Sequence, residues 1–451
     1  MEIHTVILAA GEGTRMLSSK AKALQILGGS TMLNRIYKKI VNISNKTSIV
    51  VGHQKESVIN EVKDLEGKIF LCEQKKPIGT ADAVKVTLDT ISDEAKVIVL
   101  YGDVPLIKLA SIKDLIAKTQ DSLTIMTTLI DDPTGYGRVK KDENDFATSI
   151  IEEKDACDQD KKINEIFTGI LCANKSLLKE AISEVNNENA SKEYYLTDIV
   201  SIISKKGFKI KTCVVPYREV MGANTKTELA QLESIHREMR VEELLEKGVT
   251  VVDPKRTDIR GTVSVGKDCY IDVNVILEGD VVLGDNVSIG ANTIIKNVEI
   301  GSGSKIEAFS HLVGSKVGND CIIGPYARLR EGSFIDDQAK IGNFVETKKT
   351  KVGKGSKSNH FAYLGDAEVG ENSNIGAGTI TCNYDGKNKN KTRIGDNSFV
   401  GTNSSLVAPV TIGSNAYVAA GSVITKDIPD NALGVGRSKQ DNIKDWSKKR
   451  D

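Results

Sequence analysis

Two stretches in the first quarter of the chain carry residue types suited to phosphate chemistry. Gly11-Glu12-Gly13-Thr14-Arg15 follows an apolar run at residues 5–8, and Lys22 lies seven residues beyond Arg15. Glycines let backbone N–H groups approach a phosphate closely, and Arg15 and Lys22 add positive charge. Met16 stands where the dinucleotide fingerprint has its third glycine, and the G-K-[ST] ending of a P-loop is absent. A simple strand-to-helix turn fits the same residues. At Tyr101-Gly102-Asp103 a carboxylate closes a strongly apolar run. Placed there it either holds Mg²⁺, which prefers oxygen ligands, or caps a turn before Val104-Pro105.

A second group lies two hundred residues on. Arg328 and Arg330 precede a run of Lys348, Lys349, Lys351, Lys354 and Lys357, which has one acid, Glu346, just before it. A charge run is ordinarily a solvated face. Here Lys plus Arg and Asp plus Glu both number 61, so no bulk field favours nucleic acid and any anion binding is local. His360 follows in SKSNHFAYLGD, as either a structural imidazole or a general base. Asn383-Tyr384-Asp385-Gly386 opens a polar stretch through Arg393, and its Asp-Gly pair signals a loop.

Two kinds of element must position these groups. Apolar runs at residues 5–8, 48–51, 97–101 and 123–129 alternate with helix-like segments, which predicts an α/β domain with a largely parallel sheet. Ligands then collect at the carboxyl ends of its strands. From Val265 onward an aliphatic residue repeatedly precedes glycine, as in Leu283-Gly284, Ile300-Gly301, Ile323-Gly324, Ile375-Gly376 and Ile412-Gly413. Spacings of six, twelve and eighteen predict the hexapeptide repeat of a parallel β-helix, with breaks after Ile289, Ile341 and Ile375. Between the two, Thr225-Lys226-Thr227-Glu228 offers a capping box to a connecting helix. The expected divisions are 1–226, 227–250 and 251–451. Seven cysteines without metal-like spacing, and no apolar run long enough to span a bilayer, predict a soluble cytoplasmic protein with reduced thiols.

LAAGEGTRM resembles the signature of sugar-phosphate nucleotidyltransferases. Joined to the repeats, it resembles the bifunctional bacterial uridyltransferase/acetyltransferases that make UDP-N-acetylglucosamine. EQKKPIGTADA, GYGRV, EYYLTDI, EVMGAN, GPYARLR, NFVETKK and NIGAGTITCNYDG extend the likeness over nearly the whole chain. The resemblance implies a Rossmann-like nucleotidyltransferase domain followed by a left-handed β-helix that assembles as a homotrimer. It implies UTP, acetyl-CoA and Mg²⁺ as co-substrates and metal. Leu8, Ala9, Ala10, Gly11, Gly13, Arg15, Lys22, Gln74, Gly79, Thr80, Tyr101 and Gly102 would bind nucleotide, with Gln74, Gly79 and Thr80 at the uracil. Asp103 and Asn224 would hold the metal. Gly137, Glu152, Phe167 and Asn224 would meet the amino sugar, although the family usually carries Asn where Phe167 stands. Proline is likewise usual at Ala21 and Glu331.

In the repeats the resemblance implies that Arg330, Lys348, Tyr363 and Asn374 bind sugar phosphate, joined by Lys389. Ala377, Asn383, Tyr384, Thr402, Ala420 and Arg437 would lie near coenzyme A. His360 would take the proton of the attacking amine, with an oxyanion donor near Asn383. Two other readings stay open: a solenoid that serves only as scaffold or regulator, and a binding protein without catalysis.

Overall fold

The computed structural model describes residues 2–11, 13–52 and 54–450, so Glu12 of the glycine loop lies outside the described residues. The chain divides into two units, Met1–His236 and Arg237–Asp451.

In the first unit the leading apolar run becomes the centre of a nine-stranded sheet. Its strands are β1 (Ile3–Leu8), β2 (Lys46–Val51), β3 (Ile69–Glu73), β4 (Lys96–Tyr101), β5 (Leu123–Leu129), β6 (Arg138–Lys141), β7 (Ala147–Ile151), β8 (Glu165–Asn174) and β9 (Lys211–Val214). The main path runs β9-β5-β8-β4-β1-β2-β3, with the hairpin β6–β7 attached to β8. Successive residues fall on opposite faces, so Val6, Val50, Val97 and Val99 enter one core and Ile7, Ile49, Ile98 and Leu100 the other. Burial on both faces explains the near-continuous aliphatic runs.

The sheet is more mixed than the alternation predicts. β8 lies antiparallel between β4 and β5. The reversal of direction that matters is elsewhere: β2 and β3 build out on one side of β1, then the chain crosses back to place β4 on the other. Both neighbours are parallel to β1, and Leu8 pairs with Tyr101 at their carboxyl ends. That is a topological switch point, where loops diverge and leave a crevice.

The capping box forms at the start of the helix Lys226–Glu246: Glu228 N donates to Thr225 Oγ1 (3.2 Å) and Thr225 N to Glu228 Oε2 (3.1 Å). Glu228 also accepts from Asn224 N, which fixes the residue just before the helix.

In the second unit short parallel strands stack into two long sheets of a β-helix, eleven- and sixteen-stranded. Its core is three aliphatic columns. One holds Val251, Ile271, Ile289, Ile306, Ile323, Ile341, Ile375 and Val400. Another holds Leu283, Ile300, Val317, Ile335, Val352, Val369, Ile394 and Ile412. These two contain the aliphatic-glycine pairs. The glycine has a steric cause: a Cβ on Gly342 would stand 2.2 Å from Asn359 O of the next coil. The third column, through Ile259, Leu277, Ile295, Leu312, Leu329, Leu364 and Leu406, has a glycine after Leu364 alone among these members. Buried Thr347 and Thr381 interrupt it.

Register locates the predicted breaks. Asp258 pairs with Ile276, but Ile294 pairs with His311 and Lys340 with Lys357, one residue short of eighteen. Asn374 pairs with Phe399, so one coil carries an insertion, the polar stretch that begins at Asn383. Among the described residues no helix is long and apolar enough to cross a membrane.

Candidate active sites

The loops leaving β1 and β4 enclose a cavity of about 350 Å³. Leu8, Ala9, Ala10, Gly11, Lys22, Gln74, Gly79, Thr80, Tyr101, Gly102 and Asp103 all line it, so eleven predicted residues from four chain segments converge. Gly13 and Arg15 are not among its walls. Gly13 packs against Lys22, and the Arg15 side chain is exposed. Gln74 is buried, and its Nε2 donates to Gly79 O (3.0 Å) and Asp82 Oδ2 (2.9 Å). With the nitrogen committed, the amide offers the cavity an acceptor.

The Lys22 ammonium pairs with Asp103 Oδ2 and donates to Asn224 Oδ1 (2.7 Å). One carboxylate oxygen and one amide oxygen, from positions far apart in sequence, therefore converge on a single cationic point. Such a hard-oxygen pair suits Mg²⁺, which completes its shell with water and phosphate. Among the described residues no group of three or more His, Cys, Asp or Glu side chains forms a metal cage.

A second cavity of about 290 Å³ adjoins the first and shares Thr80, Tyr101 and Glu193 with it. Gly137, Glu152 and Phe167 line it, with Tyr136, Gly169, Tyr195, Thr197 and Tyr217. Glu152 accepts from Thr197 Oγ1 (3.0 Å), and burial pushes its carboxyl above the usual range despite that bond. Burial likewise raises the Tyr101 and Tyr136 phenols; Tyr136 stands 3.0 Å from the Tyr217 hydroxyl. Phe167, almost fully buried, belongs to the sheet core as well as the cavity wall. The ring thus presents the cavity with an apolar wall.

The solenoid holds its candidate residues differently. His360 ends the strand Lys357–His360 and is exposed. Register puts Ser358 beside Ile375, Ile375 beside Val400, and Val400 beside Val418. His360, Ala377, Thr402 and Ala420 each lie two residues further on, so they occupy one column on four successive coils. At the ordinary strand spacing that column spans about 14 Å.

Arg330 and Lys348 form a second pair of neighbours, since Leu329 pairs with Thr347. Arg330 Nη1 donates to Glu346 Oε1 (2.7 Å), and the two cations line a cavity of about 270 Å³ with His311 and Arg328. Lys389, carried by the inserted stretch, faces Lys348 and, with Arg330 adding to the effect, holds that ammonium below its ordinary range. The insertion is braced rather than loose. Lys387 N (2.8 Å) and Asn388 N (2.6 Å) donate to Asp385 Oδ1, Tyr384 OH donates to Gly386 O (2.6 Å), and Asn383 Nδ2 donates to Asp366 Oδ2 (2.5 Å). That last bond commits the Asn383 amide to holding the loop. Tyr363 and Asn374 start strands beside this region, while Arg437 is exposed beyond the strand Leu433–Gly434.

The family model described as nucleotidyl transferase matches residues 4–214. Those of the GMPPB C-terminal domain and of the bacterial transferase hexapeptide (six repeats) match residues 259–352 and 391–426. The bifunctional protein GlmU of Idiomarina loihiensis is 45% identical over 451 residues, covering 99% of this chain and 98% of that protein. GlmU of Francisella philomiragia is 46% identical, covering 99% of both chains. GlmU of Acinetobacter baumannii is 46% identical, covering 98% and 97%. The chain belongs to the bifunctional GlmU family.

Within this GlmU family member, motif reading gave no role to two features, one of them the first residue of EYYLTDI. Glu193 lines both N-terminal cavities. On the solenoid, Phe309, Tyr326 and Phe344 stack, and Phe361 continues the row at a 31° tilt, with successive centroids 4.9, 5.1 and 5.1 Å apart. All four are exposed, all have positive φ between 47° and 61°, and Phe361 directly follows His360. Most coil corners give that conformation to Asn, Asp or Gly; a bulky ring there is strained. The signal was in the sequence, as an aromatic recurring once per coil.

Proposed function

We propose that the paired N-terminal cavities are the uridyltransferase site and the His360 column the acetyltransferase site. As a GlmU family member the protein is a bifunctional enzyme: it acetylates glucosamine 1-phosphate from acetyl-CoA, then transfers uridylyl from UTP to make UDP-N-acetylglucosamine. Domains follow as 1–226 for uridylyl transfer, 227–250 as connector and 251–451 for acetyl transfer.

The contiguity of the two cavities carries the first assignment, because the product joins a nucleotide to a sugar through a diphosphate. Gln74 accepts from the uracil imide in the larger cavity, while Gly137, Glu152 and Thr197 face the sugar in the smaller. Attack by the sugar phosphate oxygen on the α-phosphorus of UTP occurs where they meet, and pyrophosphate leaves. Asp103 and Asn224 would hold Mg²⁺, which supplies charge neutralisation on the phosphates when bound. Lys22, released from those oxygens, turns its ammonium to the departing pyrophosphate.

On the solenoid, Arg330, Lys348 and Lys389 hold the phosphate of glucosamine 1-phosphate. His360 takes a proton from the amine as it attacks the thioester carbonyl, and coenzyme A thiol departs. Ala377, Thr402 and Ala420 offer a flat track of small groups for an extended acyl carrier. The exposed aromatic stack beside His360 supports a subunit interface there, in a homotrimer.

The metal assignment is tested by titrating Mg²⁺ into the protein and its Asp103→Ala and Asn224→Ala variants. Pyrophosphate release should fall in both variants and with chelator, while thiol release stays unchanged. Full Mg²⁺-dependent pyrophosphate release in Asp103→Ala would show the metal is held elsewhere.

A further inference from the structure

Among the described residues, the one ionisable side chain shared by the walls of both N-terminal cavities, apart from the Tyr101 phenol, is Glu193. Its backbone is held on both sides. Asn189 Nδ2 donates to Glu193 O (2.6 Å) and Glu193 N donates to Asn189 Oδ1 (3.2 Å). The next residue is stitched to the turn before Thr80: Tyr194 N donates to Ile78 O (2.9 Å) and Ala81 N to Tyr194 O (3.0 Å). Leu196 N then donates to Thr80 Oγ1 (3.0 Å). The approach is so close that a Cβ on Gly79, at φ 137°, would stand 2.3 Å from Tyr194 O. Yet the carboxylate itself makes no hydrogen bond or ion pair among the described residues; its charge adds to the burial that raises the neighbouring Tyr195 phenol.

An exposed carboxylate on a fixed backbone, without a partner among the described residues and at the seam of two cavities, suits a particular chemistry. It repels phosphate, and the convergent oxygens for a cation are already supplied by Asp103 and Asn224. What it accepts well is hydroxyl protons, and its two oxygens match two adjacent hydroxyls. We infer that Glu193 is a specificity-determining binding residue that accepts hydrogen bonds from a vicinal diol of the bound substrates. That diol belongs either to the ribose of the nucleotide or to the hexose ring.

This inference rests on reading the cavities as nucleotide and sugar sites, and the experiment separates the two. Pyrophosphate release is followed for the full-length protein, Glu193→Ala and Glu193→Gln, with UTP against 2′-deoxy- and 3′-deoxy-UTP. The same set is run with N-acetylglucosamine 1-phosphate against its 3-deoxy and 4-deoxy analogues. Thermal unfolding of each variant reports that the N-terminal unit is folded.

Losing hydrogen bonds to a charged group should raise the KM of one substrate roughly 10- to 100-fold in Glu193→Ala, with a smaller rise in Glu193→Gln. kcat should change less. The matching deoxy substrate should lose as much on the unaltered protein and almost nothing further on Glu193→Ala. Non-additivity with the deoxynucleotides identifies the ribose, and with the deoxysugars the hexose. Unchanged kinetics in Glu193→Ala, or losses that add with every analogue, would overturn the inference while leaving the cavity assignment intact. Absence of pyrophosphate release from the unaltered protein would overturn both.

Discussion

The two units build sites by opposite means. In the N-terminal unit the strand order reverses beside β1, and the diverging loops wrap a crevice whose groups are buried enough to be perturbed: Glu152, Tyr101 and Tyr136 all bind their protons more tightly than usual. The solenoid has no reversal. Each coil repeats the last in register, so its candidate residues stand in columns on an exposed flank, and its cavities are grooves between neighbouring coils, such as the one lined by His311, Arg328, Arg330 and Lys348. A repeating fold offers a track rather than a pocket, and closing it requires a second surface.

The largest effect should come from the residue that most depends on this difference. His360→Ala should lower acetyl transfer roughly 10²- to 10⁴-fold, the range for losing a general base, and leave uridylyl transfer from pre-acetylated sugar phosphate unchanged. Parallel losses in both reactions would mean the units do not work separately. Next, Arg330→Ala or Lys348→Ala should raise the KM for glucosamine 1-phosphate roughly 10- to 100-fold, with kcat less affected and the effect shrinking in high salt. A loss confined to kcat would place these cations away from the sugar phosphate.

A smaller effect tests how the flank is closed. Phe344→Ser removes one ring of the exposed stack without touching a core column. Sedimentation should show weakened self-association and acetyl transfer should fall several-fold with dilution, while uridylyl transfer stays independent of concentration. Concentration-independent acetyl transfer would instead make the open flank of one chain sufficient.

The smallest effect separates the units by their buried polar groups. The solenoid buries mainly hydroxyls, such as Thr293, Ser304, Thr347, Ser356 and Ser398, whereas the N-terminal sheet buries His4, with Nε2 2.7 Å from Ser48 Oγ. Burial, with Lys46 nearby, pulls His4 down to about 4 from 6.5. The unfolded chain then binds the proton that the folded chain refuses, so this contribution is fully present above pH 6.5 and is lost as pH falls towards 4. Hydrogen exchange across that window should show the N-terminal sheet opening before the solenoid, and His4→Asn should flatten the difference.

How much of this was legible in the sequence follows the same division. Two of the three solenoid columns could be read because crowding between coils demands glycine after the aliphatic residue, as at Gly342. In the column through Ile259 and Leu277 only Leu364 is followed by glycine, so the pair pattern did not reveal it. Switch-point residues were legible because they sit at the ends of apolar runs. Glu193 was not, since its place depends on bonds from residues 194–196 to the turn at 78–81, over a hundred positions earlier. The antiparallel β8 also escaped, because a strand buried on both faces carries no sign of its direction. The sequence-level departure at Phe167 proves to be a ring shared between core and cavity, and Phe167 therefore shapes a wall of the smaller cavity as well as supporting the sheet.

The most direct test supplies the purified protein with glucosamine 1-phosphate, acetyl-CoA, UTP and Mg²⁺ and reads free thiol and pyrophosphate separately. Both should appear, with pyrophosphate following thiol and failing when acetyl-CoA is withheld. Pyrophosphate only when pre-acetylated sugar phosphate is supplied, with no thiol at any time, would contradict the account by reducing the solenoid to a scaffold.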